Sequence, residues 1–285
     1  MRMSQFGPRL LVAFLGAAGL IWPIAVNAEA GDGLKAGDLK LSPSLRLSGV
    51  YDSNVFRLDS GETGGGAESE SPVFRIKPGL SISTLDPSVV DFSLDGSAQW
   101  EQYLSGEPAL QEQSGLQGDG RLSAVLNPKG GVSFSLLEDF RYTNEAPPYP
   151  SSNTFNRLVN RAGAEVGIHP GDQILDIGLG YKYSIYRHFT PNLEDLDKDS
   201  HDFNLNLTWK FLPKTAFILE GDTSLVRYEQ SFRGQQNAGL PNVNSTPVHV
   251  QAGLSGLITR RISARLLAGY ATGLYESGPS YSTVI

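Results

Sequence analysis

Cysteine is absent from this chain, and that absence removes several chemistries at once. Without a thiol there is no disulfide framework, no thiolate metal site and no cysteine nucleophile. Cations are also scarce, because the 285 residues carry 23 lysines and arginines against 30 aspartates and glutamates, a formal net charge of −7. An acidic chain has no surplus cations to displace the counterions of a phosphate backbone. We therefore expect no nucleic acid among its partners.

Long apolar runs are missing after residue 28, so no later segment is predicted to cross a membrane as a helix. The early run, Leu10–Val26, follows Arg2 and Arg9 and ends in small residues before Glu29. This order of basic, apolar and small residues is typical of a secretory signal peptide. We predict a signal peptide at residues 1–28, a short periplasmic segment at residues 29–40, and export to or beyond the periplasm of a bacterium. A retained anchor is the alternative, although Pro23 interrupts its apolar run.

Turn signals recur about every 42 residues. The prolines that mark them are Pro87, Pro128, Pro170 and Pro213. Asp, Asn, Pro and Gly at these points favour tight turns and interrupt strand pairing. Between them lie longer polar stretches, so the chain is expected to alternate short turn, strand, long loop and strand.

The segments between turns alternate apolar and polar residues with a period of two. In Asp202–Phe211, for example, every second residue from Phe203 onwards is apolar. Eleven such segments begin near Leu41, Pro72, Val89, Gly118, Gly131, Phe155, Gln173, His201, Thr215, Pro247 and Arg261. A strand of about thirteen residues, tilted by roughly 40°, rises about 33 Å and exceeds an apolar membrane band of about 25 Å. The pattern predicts an all-β protein: an antiparallel, up-and-down transmembrane β-barrel over residues 41–285.

Aromatic residues gather towards the ends of these segments, where rings would meet lipid headgroups. Those towards the long loops are Tyr51, Trp100, Tyr103, Phe140, Tyr142, Tyr186, Phe189, Tyr228 and Tyr275. Those near the short turns are Phe134, Trp209, Phe211 and Phe217. A β-propeller has a similar repeat length but four short strands in each repeat, so it is the weaker alternative.

The first strand, Leu41–Arg57, reads LSPSLRLSGVYDSNVFR and ends in Tyr51-Asp52-Ser53-Asn54-Val55. A leading strand of this form resembles the opening of the β-barrel porin 2 family. The resemblance covers about seventeen residues, and beyond them only the hairpin pattern is similar. It implies an outer-membrane barrel linked to the export of exopolysaccharide or capsule.

An odd number of strands conflicts with the even number of single-chain bacterial barrels. The segment after Tyr275 is too short for another spanning strand, and the chain ends in Thr283-Val284-Ile285 instead of an aromatic residue. We therefore expect the barrel to be incomplete, with closing strands beyond Glu276. A twelfth strand missed in the segmentation is the alternative.

Charged residues of both signs fall on the polar positions of the strands, which would face the lumen. The candidate pore-lining residues are Lys77, Asp91, Asp95, Glu101, Arg121, Asp139, Arg141, Arg157, Arg161, Glu165, Asp176, Lys182, Glu220, Asp222 and Arg265. They would either line a channel or brace the lumen with ion pairs. Because the two signs are interleaved, we expect no strong ion selectivity.

The sequence gives only weak indications of metal binding or catalysis. Asp195, Asp197 and Asp199 have the spacing of the start of a calcium loop, but the required glycine and glutamate are Ser200 and Asn206. A rim hydrolase would need His188 or His201 beside Asp199 or Asp202, and no nucleophile motif accompanies them. We assign no catalytic residue, cofactor or metal site, and we expect no enzymatic activity.

The sequence thus favours a porin-like channel or export conduit that contacts outer-membrane lipid and lipopolysaccharide. Through the family resemblance, polysaccharide export machinery is its expected partner. The alternative is a non-conducting structural or adhesive barrel whose extracellular loops bind ligands.

Overall fold

The computed structural model describes residues 24–29, 33–55, 70–144, 156–170, 174–190, 193, 196–229, 243–257, 262–276 and 279–284. Eleven long strands dominate it: β3 (Leu39–Asp52), β4 (Ser71–Thr84), β5 (Val90–Tyr103), β6 (Gly115–Leu126), β7 (Val132–Thr143), β8 (Arg157–Ile168), β9 (Leu175–His188), β10 (Lys198–Leu212), β11 (Thr215–Tyr228), β12 (Ser245–Leu257) and β13 (Ser263–Tyr275). Three short strands, β1 (Ile24–Glu29), β2 (Leu34–Ala36) and β14 (Tyr281–Val284), and one short helix, α1 (Pro108–Gln111), complete the described elements. The described residues contain no helix long and apolar enough to span a membrane.

All fourteen strands belong to one antiparallel sheet in which neighbours in sequence are neighbours in space. The path runs β1-β3-β4 and then in order to β14, while β2 pairs with β3 beside β1. Connections of two to six residues join strands at one end of the sheet, the short-turn end. Connections of about nine to eighteen residues lie at the other end, the long-loop end. They link β3 to β4, β5 to β6, β7 to β8, β9 to β10 and β11 to β12. The predicted meander with alternating short turns and long loops is confirmed.

The predicted eleven long strands are confirmed, and each contains between 12 and 15 residues. The short elements were not predicted, because a strand of three to six residues is too brief to show a period. Residues 24–28 of the predicted signal peptide lie in β1, and the predicted segment 29–40 contains the β2–β3 turn. Residues 1–23 lie outside the described part of the chain.

A closed barrel is not found. Within the described residues β1 pairs with β3 and β14 pairs with β13, and no pairing joins the two ends of the path. The structure therefore confirms an all-β antiparallel meander sheet, while barrel closure is a finer prediction that this sheet leaves open.

The register gives the sheet one polar and one apolar face, because residues opposite each other in an antiparallel pair point the same way. On β10, Asp202 opposes Lys182 and Ser224, whereas Phe203 opposes Tyr181 and Thr223. The apolar side chains remain exposed: Leu116 is 55% exposed, Trp209 50% and Leu266 77%. In the described part of the chain only Val55, Val73, Leu110 and Ile218 are buried hydrophobic residues. The sheet thus has no conventional core on its apolar face.

The aromatic prediction needs a correction. The register places Trp100, Phe140 and Tyr142 near the long loops on the apolar face, and Phe134 and Trp209 near the short turns on the same face. Four of the aromatic residues assigned to the long-loop end instead share the polar face: Tyr103, Tyr186, Tyr228 and Tyr275. Position along a strand does not determine the face, because that depends on whether the residue number is odd or even.

Proline lies inside β4 without disturbing its register. A proline inside a strand can mark a β-bulge, but Lys77, Pro78 and Gly79 oppose Arg46, Leu45 and Ser44 in sequence. On the β5 side, pairing stops at Ile76 and resumes at Gly79 in the same register. The missing amide thus interrupts the β4–β5 ladder for two residues, and no extra residue is inserted. A register shift occurs instead in β10, between Trp209 and Leu212.

The β6–β7 turn depends on a left-handed residue. Asn127 has φ 55°, a conformation that costs most side chains about 1–2 kcal/mol. Its side-chain amide Nδ2 donates to the carbonyl of Val132 at 2.6 Å, and the Gly130 amide donates to the Asn127 carbonyl at 3.0 Å. Asparagine therefore supplies both the backbone conformation and a closing hydrogen bond.

We expect Asn127→Ala to lower the free energy of unfolding by about 1–3 kcal/mol, since it adds left-handed strain and removes the bond to Val132. Asn127→Gly is the matched variant, because glycine tolerates positive φ and loses only the hydrogen bond. Urea unfolding of the refolded protein measures both. Equal losses in the two variants would contradict a role for backbone strain.

Candidate functional site on the polar face

All fifteen candidate pore-lining residues lie on the polar face of the sheet. The register shows this by chains of opposed residues, such as Asp95, Arg121, Asp139 and Arg161 on β5 to β8. Sequence alternation thus brought these residues to one surface. Whether this surface lines a water-filled passage stays a prediction.

A row of alternating charge crosses the middle of this face. Arg121 Nη2 lies 3.1 Å from Asp139 Oδ2, and Arg161 Nη1 lies 3.3 Å from Asp139 Oδ1. Asp95, which opposes Arg121, accepts a hydrogen bond from the Ser81 hydroxyl. Asp139 is therefore shared between two guanidinium groups, and this fixes three side chains relative to one another.

Glu101 is the most enclosed of the fifteen candidates, with only 2% of its surface exposed. Its Oε1 accepts from Arg75 Nη2 at 2.8 Å, and its Oε2 accepts from the side-chain amides of Gln99 and Gln117 at 3.1 Å each. A buried carboxylate with a charged partner and two amide donors is well satisfied. Arg75 was not singled out in the sequence, because an Arg in a strand carries no signal of its partner.

Two ion pairs reach across an intervening strand. Lys77 Nζ on β4 lies 3.0 Å from Asp119 Oδ1 on β6, and Arg265 on β13 contacts Glu220 on β11. Such pairs join strands that share no backbone hydrogen bonds. They are partly exposed, so each adds at most about 1 kcal/mol to stability.

The remaining paired candidates have nearer partners. Lys182 Nζ lies 3.4 Å from Asp202 Oδ2. His169 Nδ1 lies 3.0 Å from Asp176, and His249 Nδ1 lies 3.0 Å from Asp222. Neither histidine pair was predicted, since the residues are separated in sequence and meet only through the register.

Five candidates have no ion pair among the described residues: Asp91, Asp95, Arg141, Arg157 and Glu165. Asp91 and Arg141 are exposed, whereas Arg157 and Glu165 are half-buried. The polar face therefore combines a braced centre with charges that are still available to a ligand.

The loop between β5 and β6 lies over the polar face at the long-loop end. Leu110 of α1 is fully buried and packs with Val55 and with Tyr103, which is a polar-face residue. The loop is tied down by the Tyr103 amide, which donates to Ser114 Oγ at 2.9 Å, and by Asn144 Nδ2, which donates to the Gln113 carbonyl at 2.6 Å. This segment, residues 104–114, is called the covering loop below.

A basic and aromatic cluster on β8 to β11 was missed in the sequence. Lys198 Nζ lies 4.9 Å from the ring centroid of Tyr186 and 5.5 Å from that of Tyr228. The guanidinium carbon of Arg161 lies 5.7 Å from the Tyr186 ring. The two tyrosines had been assigned to the lipid interface, so their contact with cations on the polar face had no sequence signal.

The hydrolase pairing is wrong as stated. His188 contacts Asp197, with its amide and Nδ1 at 2.7 and 3.0 Å from the carboxylate, and His201 contacts the hydroxyl of Tyr181. Asp199 pairs with Arg187, and Asp202 with Lys182. Asp195 lies outside the described residues. No group of three His, Asp or Glu residues suited to a metal ion occurs in the part of the chain that the structure describes.

The buried Glu101 offers a direct test of this network. Glu101→Ala leaves Arg75 without its carboxylate, and we expect a loss of about 3–5 kcal/mol in unfolding free energy. Asp91→Ala, on the same strand and face but exposed and unpaired, should change stability by no more than about 0.5 kcal/mol. Denaturant unfolding of both variants gives the comparison, and equal effects would contradict the special position of Glu101.

Comparison with protein-family models, with curated proteins and with solved structures found no match for this chain. The similarity of the first strand to the β-barrel porin 2 family therefore stays a hypothesis based on residues 41–57.

Proposed function

We propose that this chain is an outer-membrane β-barrel that forms a passive channel or export conduit. In this proposal the apolar face meets lipid and the polar face surrounds an aqueous passage. One observation carries the proposal: a sheet of eleven long strands with an apolar face that no described residue covers.

The apolar face is too large for a soluble monomer. Soluble proteins rarely expose a contiguous apolar patch of more than a few hundred Å². Here exposed large hydrophobic side chains occur on ten of the eleven long strands, from Leu45 on β3 to Leu274 on β13, and β11 is the strand without one. Because the described residues provide no second layer over this face, a lipid environment accounts for it best.

Strand length agrees with that environment. Strands of 12 to 15 residues, with a rise of about 3.3 Å per residue and a tilt of roughly 40°, extend about 30–38 Å along the membrane normal. This exceeds the apolar band of about 25 Å in outer-membrane barrels. Closure of the sheet is part of the proposal, since unpaired strand edges are costly in lipid.

The polar face supports an aqueous passage. It holds carboxylates, guanidinium groups and amides, and small residues such as Gly163, Gly178 and Gly180 alternate with them. Charged side chains in contact with the lipid interior would cost free energy, so in this proposal the polar face contacts water. The proposed role in exopolysaccharide or capsule export comes from the resemblance of the first strand. In this proposal, outer-membrane lipid and lipopolysaccharide surround the barrel.

A non-conducting structural or adhesive barrel is the second candidate, and the covering loop favours it. Leu110, Tyr103 and Val55 form a packed apolar cluster where a solute would enter from the long-loop end. The rim hydrolase with His188 or His201 is not proposed, because His188 contacts Asp197 and His201 contacts the Tyr181 hydroxyl instead of the expected aspartates.

Adjacent residues on β10 test which face meets lipid. Leu205 and Asn204 lie near the middle of this strand on opposite faces. We expect Leu205→Lys to cost about 2–4 kcal/mol of folding into lipid bilayers, as a midplane lysine does on a lipid-facing position. Asn204→Lys, with the same added charge, should cost far less. Tryptophan fluorescence during bilayer refolding measures both, and a larger cost for Asn204→Lys would reverse the assignment.

Conductance separates the two candidate functions. We expect the refolded full chain to open channels in a planar bilayer, and deletion of residues 106–112 from the covering loop to increase their conductance by removing an obstruction. The control is the substitution Asn127→Gly in the β6–β7 turn, which lies at the short-turn end, away from the covering loop. It should leave the conductance unchanged. A folded protein that never conducts, with or without the covering loop, would leave the structural barrel as the function.

A further inference from the structure

The polar face carries a compact group of cations where β7 to β10 approach the long loops. A cross-strand row runs from Arg141 through Val159, Tyr186 and Lys198 to Tyr228. Arg157 and Arg161 lie two residues on either side of Val159 on β8. Arg141, Arg157, Arg161 and Lys198 are called the basic patch below. It spans three strand spacings, from β7 to β10, about 14 Å.

Few carboxylates neutralise the basic patch. Asp139 is the acid within it, and it is shared between Arg161 and Arg121. Asp119 opposes Arg141 but bonds to Lys77, and Asp197 bonds to His188. Arg141 and Arg157 consequently retain guanidinium groups with no ion pair among the described residues, although the chain as a whole is acidic.

The tyrosines hold the other two cations in place without cancelling their charge. Lys198 lies over the rings of both Tyr186 and Tyr228, and Arg161 Nη2 donates to the Tyr186 hydroxyl at 3.4 Å. A ring attracts a cation through its quadrupole and leaves the net positive charge intact. The ammonium and guanidinium groups are thereby positioned in advance, which reduces the entropy lost when a ligand binds.

We infer that the basic patch binds the anionic groups of a solute, such as carboxylate, phosphate or sulfate, at the long-loop end of the polar face. Guanidinium groups bind such oxyanions through two parallel N–H donors. Several cations over about 14 Å favour a ligand with several negative charges over a single small anion. The inference rests on the proposed function for one condition, that the polar face is open to water.

The test measures binding of sodium tripolyphosphate to the full chain, refolded in detergent, by isothermal titration calorimetry at low ionic strength. The double variant Arg141→Gln/Arg157→Gln removes the two unpaired cations. The control, Lys182→Gln/Arg265→Gln, removes two ion-paired cations outside the basic patch on the same face and changes the net charge equally. Heat-modified mobility in gel electrophoresis establishes that each variant is folded.

We expect the first variant to weaken tripolyphosphate binding by about tenfold or more, since each lost guanidinium removes charge-assisted hydrogen bonds. The control should stay within about twofold of the parent chain. Equal weakening of tripolyphosphate binding in both variants would mean that net charge alone explains the binding, and it would contradict a specific site at the basic patch. A folded parent chain that binds no tripolyphosphate would contradict it as well.

Binding in detergent does not require conduction, so the two proposals fail separately. A chain that binds tripolyphosphate at the basic patch but never conducts retains the patch and loses the channel. A chain that conducts but shows no difference between the two variants retains the channel and loses the patch.

Discussion

Continuous antiparallel pairing is the constraint on which everything else in this structure depends. From β3 to β13 each strand is held by backbone hydrogen bonds to two neighbours. Because side chains alternate between faces, a shift of one residue in any strand would move all its polar side chains to the apolar face. The charged row through Asp139, the buried Glu101 and the exposed leucines are therefore consequences of one register.

This arrangement places stability in the backbone ladders instead of a hydrophobic core. Ion pairs such as Lys77 with Asp119 are partly exposed and contribute little individually. The apolar side chains gain nothing from burial within the chain, so any hydrophobic stabilisation has to come from what surrounds the sheet. Four described side chains are exceptions, because the chain itself buries Leu110 of the covering loop, Val55, Val73 and Ile218.

Period-two alternation explains why so much of the sheet could be predicted. It identified eleven strands and placed fifteen charged residues on one face, because both properties are local to a strand. It could not identify Arg75 as the partner of Glu101, or Asp176 as that of His169, since these contacts depend on which residues oppose each other. Tyr186 was misassigned for the same reason, since its face depends on the register.

The position of β1 has a consequence for the order of events during export. Ala28, after which the predicted signal peptide is cut, opposes Leu45 within the β1–β3 ladder. A peptidase needs its substrate backbone extended and free of other partners, so a chain already paired in this way would be protected from the cut. If the chain is exported and cut as predicted, processing must precede formation of this ladder, after which the edge of β3 from Ser44 to Gly49 is free to take a different strand. Cleavage would then act as a timing step for assembly of the sheet.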